Sequence, residues 1–240
     1  MKNIIFVIFL FNLLPITSYA AKEDGFQSKL QKEFRKLAIK GGLGLGHVRL
    51  KRGTTEDKFA TPTVNTQLSI YMGDIELSAS AYMSFGKINE LSYKLEDETI
   101  TGVGEALDLS LSPILKYKTN SALNNGRWPI YVGAGPSWSL YSINFENNDQ
   151  VMKQDYNIKT DEFKFSYNTV GYNIVVGVEE ATTSKSLHPV YIEFTYSYRK
   201  SRKLTLVDTE QFEEIEIAHV QDDSSFSYHS IMLSMGMTFF

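Results

Sequence analysis

From about Ile39 onward, apolar and polar residues alternate with a period of two, the mark of strands with two unlike faces. In IELSASAYMSF, residues Ile75, Leu77, Ala79, Ala81, Met83 and Phe85 share one face, and Glu76, Ser78, Ser80, Tyr82 and Ser84 share the other. EALDLSLSPILKY sets Leu107, Leu109, Leu111, Pro113 and Leu115 against Asp108, Ser110, Ser112 and Lys116. PIYVGAGPSWSLYS, VGYNIVVGV, PVYIEFTYSYRK and the final SIMLSMGMTFF repeat the pattern. Two weaker strands, GGLGLGHVRL and VNTQLSIYM, precede these and bring the total to eight.

Alternation alone also fits a soluble sandwich. Three details point instead to a transmembrane barrel. The apolar faces run about ten residues, the length a tilted membrane strand needs. The opposite face is small and polar. Aromatics gather toward strand ends, among them Tyr71, Trp128, Trp138, Tyr141, Tyr196 and Tyr198, as an interfacial girdle would require. The connections alternate too. GD joins the second and third strands, whereas long polar loops are expected near 51–63, 86–104, 142–162 and 199–225. The fold class read here is all-β: an eight-stranded antiparallel up-and-down barrel over 39–240.

The first residues follow another pattern. Lys2, the apolar run IIFVIFLFNLL and the small residues of SYA read as a secretory signal over 1–20, too short to span a bilayer. DGFQSKLQKEFRKLA places Phe26, Leu30, Phe34 and Leu37 on one helical face, with Lys29, Lys32, Arg35 and Lys36 elsewhere. A periplasmic amphipathic helix is expected over 21–38, packed against the barrel end or lying on an anionic membrane surface.

Composition narrows the chemistry. Net charge is −4, which gives no footprint for nucleic acid. There is no cysteine, hence no disulfide or thiolate site. No HExxH or calcium-loop pattern occurs, and GGLGLG lies in a strand, so neither metal nor cofactor is expected. Five charged residues have the inward phase: Glu76, Asp108, Lys116, Glu193 and Arg199. Charges in a low-dielectric lumen are costly unless paired, so a lumen polar network is expected. DDSSFSYHS gathers Asp222, Asp223, Ser225, Ser227 and His229, the residue types of a hydrolase, near the outer end of the last strand. Such residues also crowd ordinary polar loops, and the expectation is a protein that is not an enzyme.

The stretches PIYVGAGPSWS, FSYNTVGYNIVVGV, PVYIEFTYSYRK and IEIAHV, with the terminal strand, resemble the eight-stranded outer-membrane barrels of Gram-negative bacteria. More narrowly, they resemble the major surface antigens of rickettsia-like bacteria. The resemblance implies an outer-membrane location, surrounding lipid, and the barrel-assembly machinery as a partner. In such barrels a terminal aromatic is the assembly signal, here Phe239 and Phe240; alternation puts Phe239, rather than Phe240, in the lipid-facing phase. The expected function is a non-enzymatic surface protein whose four outer loops meet a host surface or extracellular ligand. A narrow pore for ions or small solutes is the alternative, and a lipid A-modifying barrel a further one.

Overall fold

The structure, a computed structural model, describes residues 37–52, 55–95, 98–123, 127–147, 162–181, 188–208, 214–215 and 226–240. The expected signal segment and residues 21–36 of the expected helix lie outside them. Leu37 and Ala38, read from the sequence as the helix end, instead open the first strand.

The strands are β1 Leu37–Arg52, β2 Thr55–Met72, β3 Ile75–Leu95, β4 Glu98–Leu123, β5 Trp128–Asn147, β6 Glu162–Glu179, β7 Val190–Asp208, β8 Glu214–Ile215 and β9 Phe226–Phe239. Consecutive strands from β1 to β7 pair antiparallel, β7 pairs with β9, and β9 returns to β1. Ile39 opposite Phe239 and Lys51 opposite Ser227 mark the closing ladder. The result is a closed eight-stranded up-and-down barrel, with β8 a two-residue addition to the outer end of β7. Closure satisfies the backbone without water, and it removes the long edges that an open sheet would expose.

At the end holding Leu37 and Phe239, here called the near end, Gly73 and Asp74 turn the chain between β2 and β3. Gly73 has φ 66°, a conformation that favours glycine. At the opposite, far end the strands run well into the segments expected as loops. The 51–63 and 86–104 segments are largely strand: β2 begins at Thr55, and β3 and β4 pair out to Leu95 and Glu98. The reason is a reversal of sides. In the near storey, Leu43, Leu45, Leu77, Leu111, Val176, Phe194, Leu233 and their neighbours face outward and exposed, while Ser and Thr face in. In the far storey the apolar residues turn inward. Val48, Leu50, Phe59, Ile88, Leu91, Ile143, Phe145, Phe165, Tyr167 and Phe226 form a closed apolar core. The outward positions there become Arg49, Lys51, Lys58, Lys87, Glu105 and Asn144. An apolar exterior suits lipid and an apolar interior suits water, so the change of sides marks a boundary between two solvents.

Register shifts between Ile88 and Leu91, Lys118 and Ala122, and Asn168 and Thr169 interrupt the wall, and two gaps in the ladders add to them. Between Leu111↔Trp138 and Leu115↔Ala134 the β4–β5 ladder lapses around Pro113 and Pro136, and the Ser112 hydroxyl donates to the Pro136 carbonyl at 2.6 Å. The β2–β3 ladder stops at Thr63↔Ser84 although both strands continue, which leaves a slit in the far storey. Phe59 lies across it from Gly86, where an added methyl would fall 2.4 Å from the ring.

Candidate functional site

Inward-facing charge converges in the near half of the lumen. Lys40 on β1 reaches Glu76 at 2.8 Å and Glu179 at 3.2 Å. Lys116 on β4 meets Glu193 at 2.6 Å and Glu76 at 3.8 Å. Lys118 reaches Glu179 at 3.5 Å. Three lysines therefore face three carboxylates, and the cluster is neutral when all six are ionised.

Neutral donors complete it. Ser69 and Ser78 each donate to Glu76 Oε1 at 2.8 Å. Tyr131 donates to Glu193 at 3.0 Å, and Tyr71 and Thr238 donate to Glu179 at 3.0 and 2.7 Å. Gln67 accepts from Lys116 at 2.8 Å and donates to Glu193 at 3.3 Å. The tyrosine rings also wall the lysines: Lys116 Nζ lies 4.9 Å from the Tyr131 centroid and Lys40 Nζ 5.3 Å from that of Tyr71. Small neighbours make the room. A methyl added to Gly133 would fall 2.8 Å from the Lys116 side chain.

Farther up the lumen, the Arg199 guanidinium grips both oxygens of Asp108, with Nη1 to Oδ1 at 2.8 Å and Nη2 to Oδ2 completing the fork. The same guanidinium lies 4.0 Å over the Tyr228 ring. Above this pair begins the apolar core, with Tyr167 stacked on Phe226 at 4.2 Å.

Of the residues singled out from the sequence, Glu76, Lys116 and Glu193 meet in one cluster and Asp108 and Arg199 in a second. Lys40 and Glu179 are equal members that the sequence reading missed, although both keep the inward phase. Trp138, Tyr196 and Tyr198 face outward, Trp138 at 46% exposure, and Trp128 is half-exposed near the turn end of β5. Tyr141 is a correction: it is 2% exposed and packs inside against Tyr228 and Phe226 at 5.6 and 5.5 Å. Its β5 phase is that of Tyr131, not that of Trp138. Tyr71 also turns from the girdle toward the lumen, onto Glu179. Phe239 and Phe240 are exposed at the near rim, and Phe240 lies 6.0 Å from Tyr71. Of the hydrolase-type residues, Asp222, Asp223 and Ser225 lie outside the described residues. Ser227 and His229 share the outer face of β9, and the Nδ1 of His229 is 3.1 Å from the Tyr196 hydroxyl. Among the described residues no group of three or more His, Asp or Glu could hold a metal.

The outer wall just past the apolar belt is the second place where charge gathers. Pairing sets Tyr198, His229, Arg49 and Lys58 side by side across β7, β9, β1 and β2. The next cross-strand set is Lys200, Ser227, Lys51 and Glu56. Glu56 lies 2.5 Å from Arg49 and 2.9 Å from Lys58. Hydrogen bonds from these two, Arg49 first, hold its carboxyl down at about 2, so it stays ionised at any physiological pH. Around the slit, Ala60, Pro62, Phe85 and Leu107, with Lys87 and Glu105 at one end, line an open groove of about 590 Å³.

No family model matches this chain, and no curated protein does. Among solved structures it is similar to Neisserial surface protein A at 14% identity and TM-score 0.45, covering 85% of this chain and 96% of that one. A major outer membrane protein from Thermus thermophilus is similar at 12% identity and TM-score 0.48, covering 85% and 99%. Ail, the attachment invasion locus protein of Yersinia pestis, is similar at 13% identity and TM-score 0.37, covering 84% and 98%.

Proposed function

We propose that this chain is an integral outer-membrane protein whose barrel anchors a surface-exposed far storey and its connections, acting outside the cell as an antigen or adhesin rather than as an enzyme. One observation carries the reading: a belt of exposed Leu, Ile, Val, Met and Phe encircles the near half of a closed barrel, where the inside is polar. Water would penalise that belt at roughly 25 cal/mol per Å² of apolar surface, whereas lipid does not. The filled interior supports anchoring over conduction. Eight strands enclose room for side chains only, and here ion pairs fill the near half and aromatic rings the far half. The sequence resemblance to rickettsial-type surface antigens points the same way. Binding residues on rigid scaffolds usually sit on the connecting segments, which places recognition at the far end.

The test has two arms. Protease added to intact expressing cells should cut within 148–161 and 209–225 and spare the Gly73–Asp74 turn; cleavage at that turn would reverse the topology. Purified protein in planar bilayers should give no steady conductance; discrete channel steps would favour the narrow pore.

A further inference from the structure

We propose that the outer wall formed by β7, β9, β1 and β2 binds the phosphate of anionic lipids in the surrounding leaflet, with Arg49, Lys51, Lys58 and Lys200 as its cations. This rests on the membrane reading above and goes beyond it by naming a lipid class and a side of the barrel.

The placement is the first observation. On these four strands the polar and basic positions begin two residues past the last outward apolar or aromatic one. His47, Arg49 and Lys51 follow Leu45; Lys58 follows Ala60; Lys200 follows Tyr198; and His229 follows Ile231. Two to six residues on a tilted strand correspond to about 5–15 Å along the membrane normal. The head-group layer of one leaflet is about 5–8 Å thick, and long basic side chains bend to keep their charge within it. The charge is the second observation. Among the described residues of this wall, four Lys or Arg side chains accompany one carboxylate, that of Glu56, which engages Arg49 and Lys58. The remaining outward wall is mixed, with Lys87 near Glu105 across the β3–β4 ladder. The aromatics are the third. Tyr172, Tyr196 and Tyr198 cluster directly beside the cations, with Tyr198 4.7 Å from His229 and Lys200 5.9 Å over Tyr198. Rings with a polar tip belong at the lipid–water interface. A soluble polyanion would meet the tips of the hairpins first. Arg49 and Lys58, and Lys200 in the middle of β7, sit on the barrel wall, where neighbouring head groups lie, and Lys51 is one rung from the end of the β1–β2 ladder.

The full chain is reconstituted in vesicles of equal phosphatidylcholine and phosphatidylglycerol, and the lipid retained on release is counted by native mass spectrometry. Wild type should retain phosphatidylglycerol several-fold over phosphatidylcholine. Lys51→Gln with Lys200→Gln should abolish the preference while the folded, heat-modifiable band persists on gels. Glu56→Gln should enlarge it, because the competing carboxylate is gone. Equal retention by wild type, or a preference untouched by the paired substitution, overturns the proposal while leaving the membrane reading intact. Residue-dependent binding of a soluble sulfated polysaccharide without lipid preference overturns it in favour of a polyanion surface. Failure to insert into phosphatidylcholine alone overturns both readings.

Discussion

Lys40 Nζ and Glu179 Oε2, 139 residues apart in the chain, lie 3.2 Å apart inside the barrel. The contact joins β1 to β6 across the lumen, so the cluster ties opposite walls that no ladder connects. Charge neutrality makes it intolerant of single deletions. Glu76 serves Lys40 and Lys116 together. Glu76→Gln should therefore cost about 3–5 kcal/mol, the usual cost of stranding a buried partner. Urea unfolding in lipid vesicles, followed by tyrosine fluorescence, measures it; a loss near zero would show that the lysines are solvated another way.

Arg199 differs from the lysines in how it holds its carboxylate. It forks onto both Asp108 oxygens and lies flat on Tyr228. An ammonium reproduces neither feature. Arg199→Lys should then destabilise the barrel by at least half as much as Arg199→Ala in the same assay. Full rescue by lysine would mean that charge alone matters there.

The wall glycines are not equivalent. A methyl at Gly135 would lie 1.8 Å from the Pro113 carbonyl oxygen, and one at Gly171 1.8 Å from that of Tyr198, whereas Gly41 has open space around it. Gly135→Ala and Gly171→Ala should lose the heat-modifiable folded band. Gly41→Ala should stay within about 0.5 kcal/mol of wild type. Normal folding of Gly135→Ala would show that β4 can retreat at Pro113.

The far storey has its own core, so damage there should stay local. Phe226 stacks on Tyr167 and touches Tyr141. Phe226→Ala should remove about 3–5 kcal/mol. It should speed protease cutting in the far storey of vesicle-inserted protein while the near-end strands stay protected. Equal loss of protection in both storeys would mean that they unfold together.

Much of this was legible from alternation. Glu76, Lys116 and Glu193 follow from phase alone, because one face of every membrane strand must be polar. Lys40 and Glu179 carried the same signal and were missed because each sits just past an assumed boundary, the helix end before Lys40 and the strand end at Val178. The extent of the strands was harder to see. Leu45 points out and Val48 points in, so a reader who keeps one face apolar throughout loses the strand where the solvent changes. Tyr141 has the inward β5 phase of Tyr131, so phase, rather than its place near a strand end, decides that it faces the lumen. The pairing of Asp108 with Arg199, 91 residues away, needs the barrel's register, which no local pattern supplies.

The missing rungs between β2 and β3 give the cylinder a preferred line of weakness. Above Thr63 and Ser84 the seam is held by side-chain packing, the Phe59 ring against Gly86, in place of ladder pairs. The slit's lower end, at Thr63 and Ser84, is stitched by a 2.8 Å hydroxyl contact. The mouth of the cylinder is thus seamed along one line by side chains alone, while below it the β2–β3 ladder runs unbroken from Thr63 to Met72.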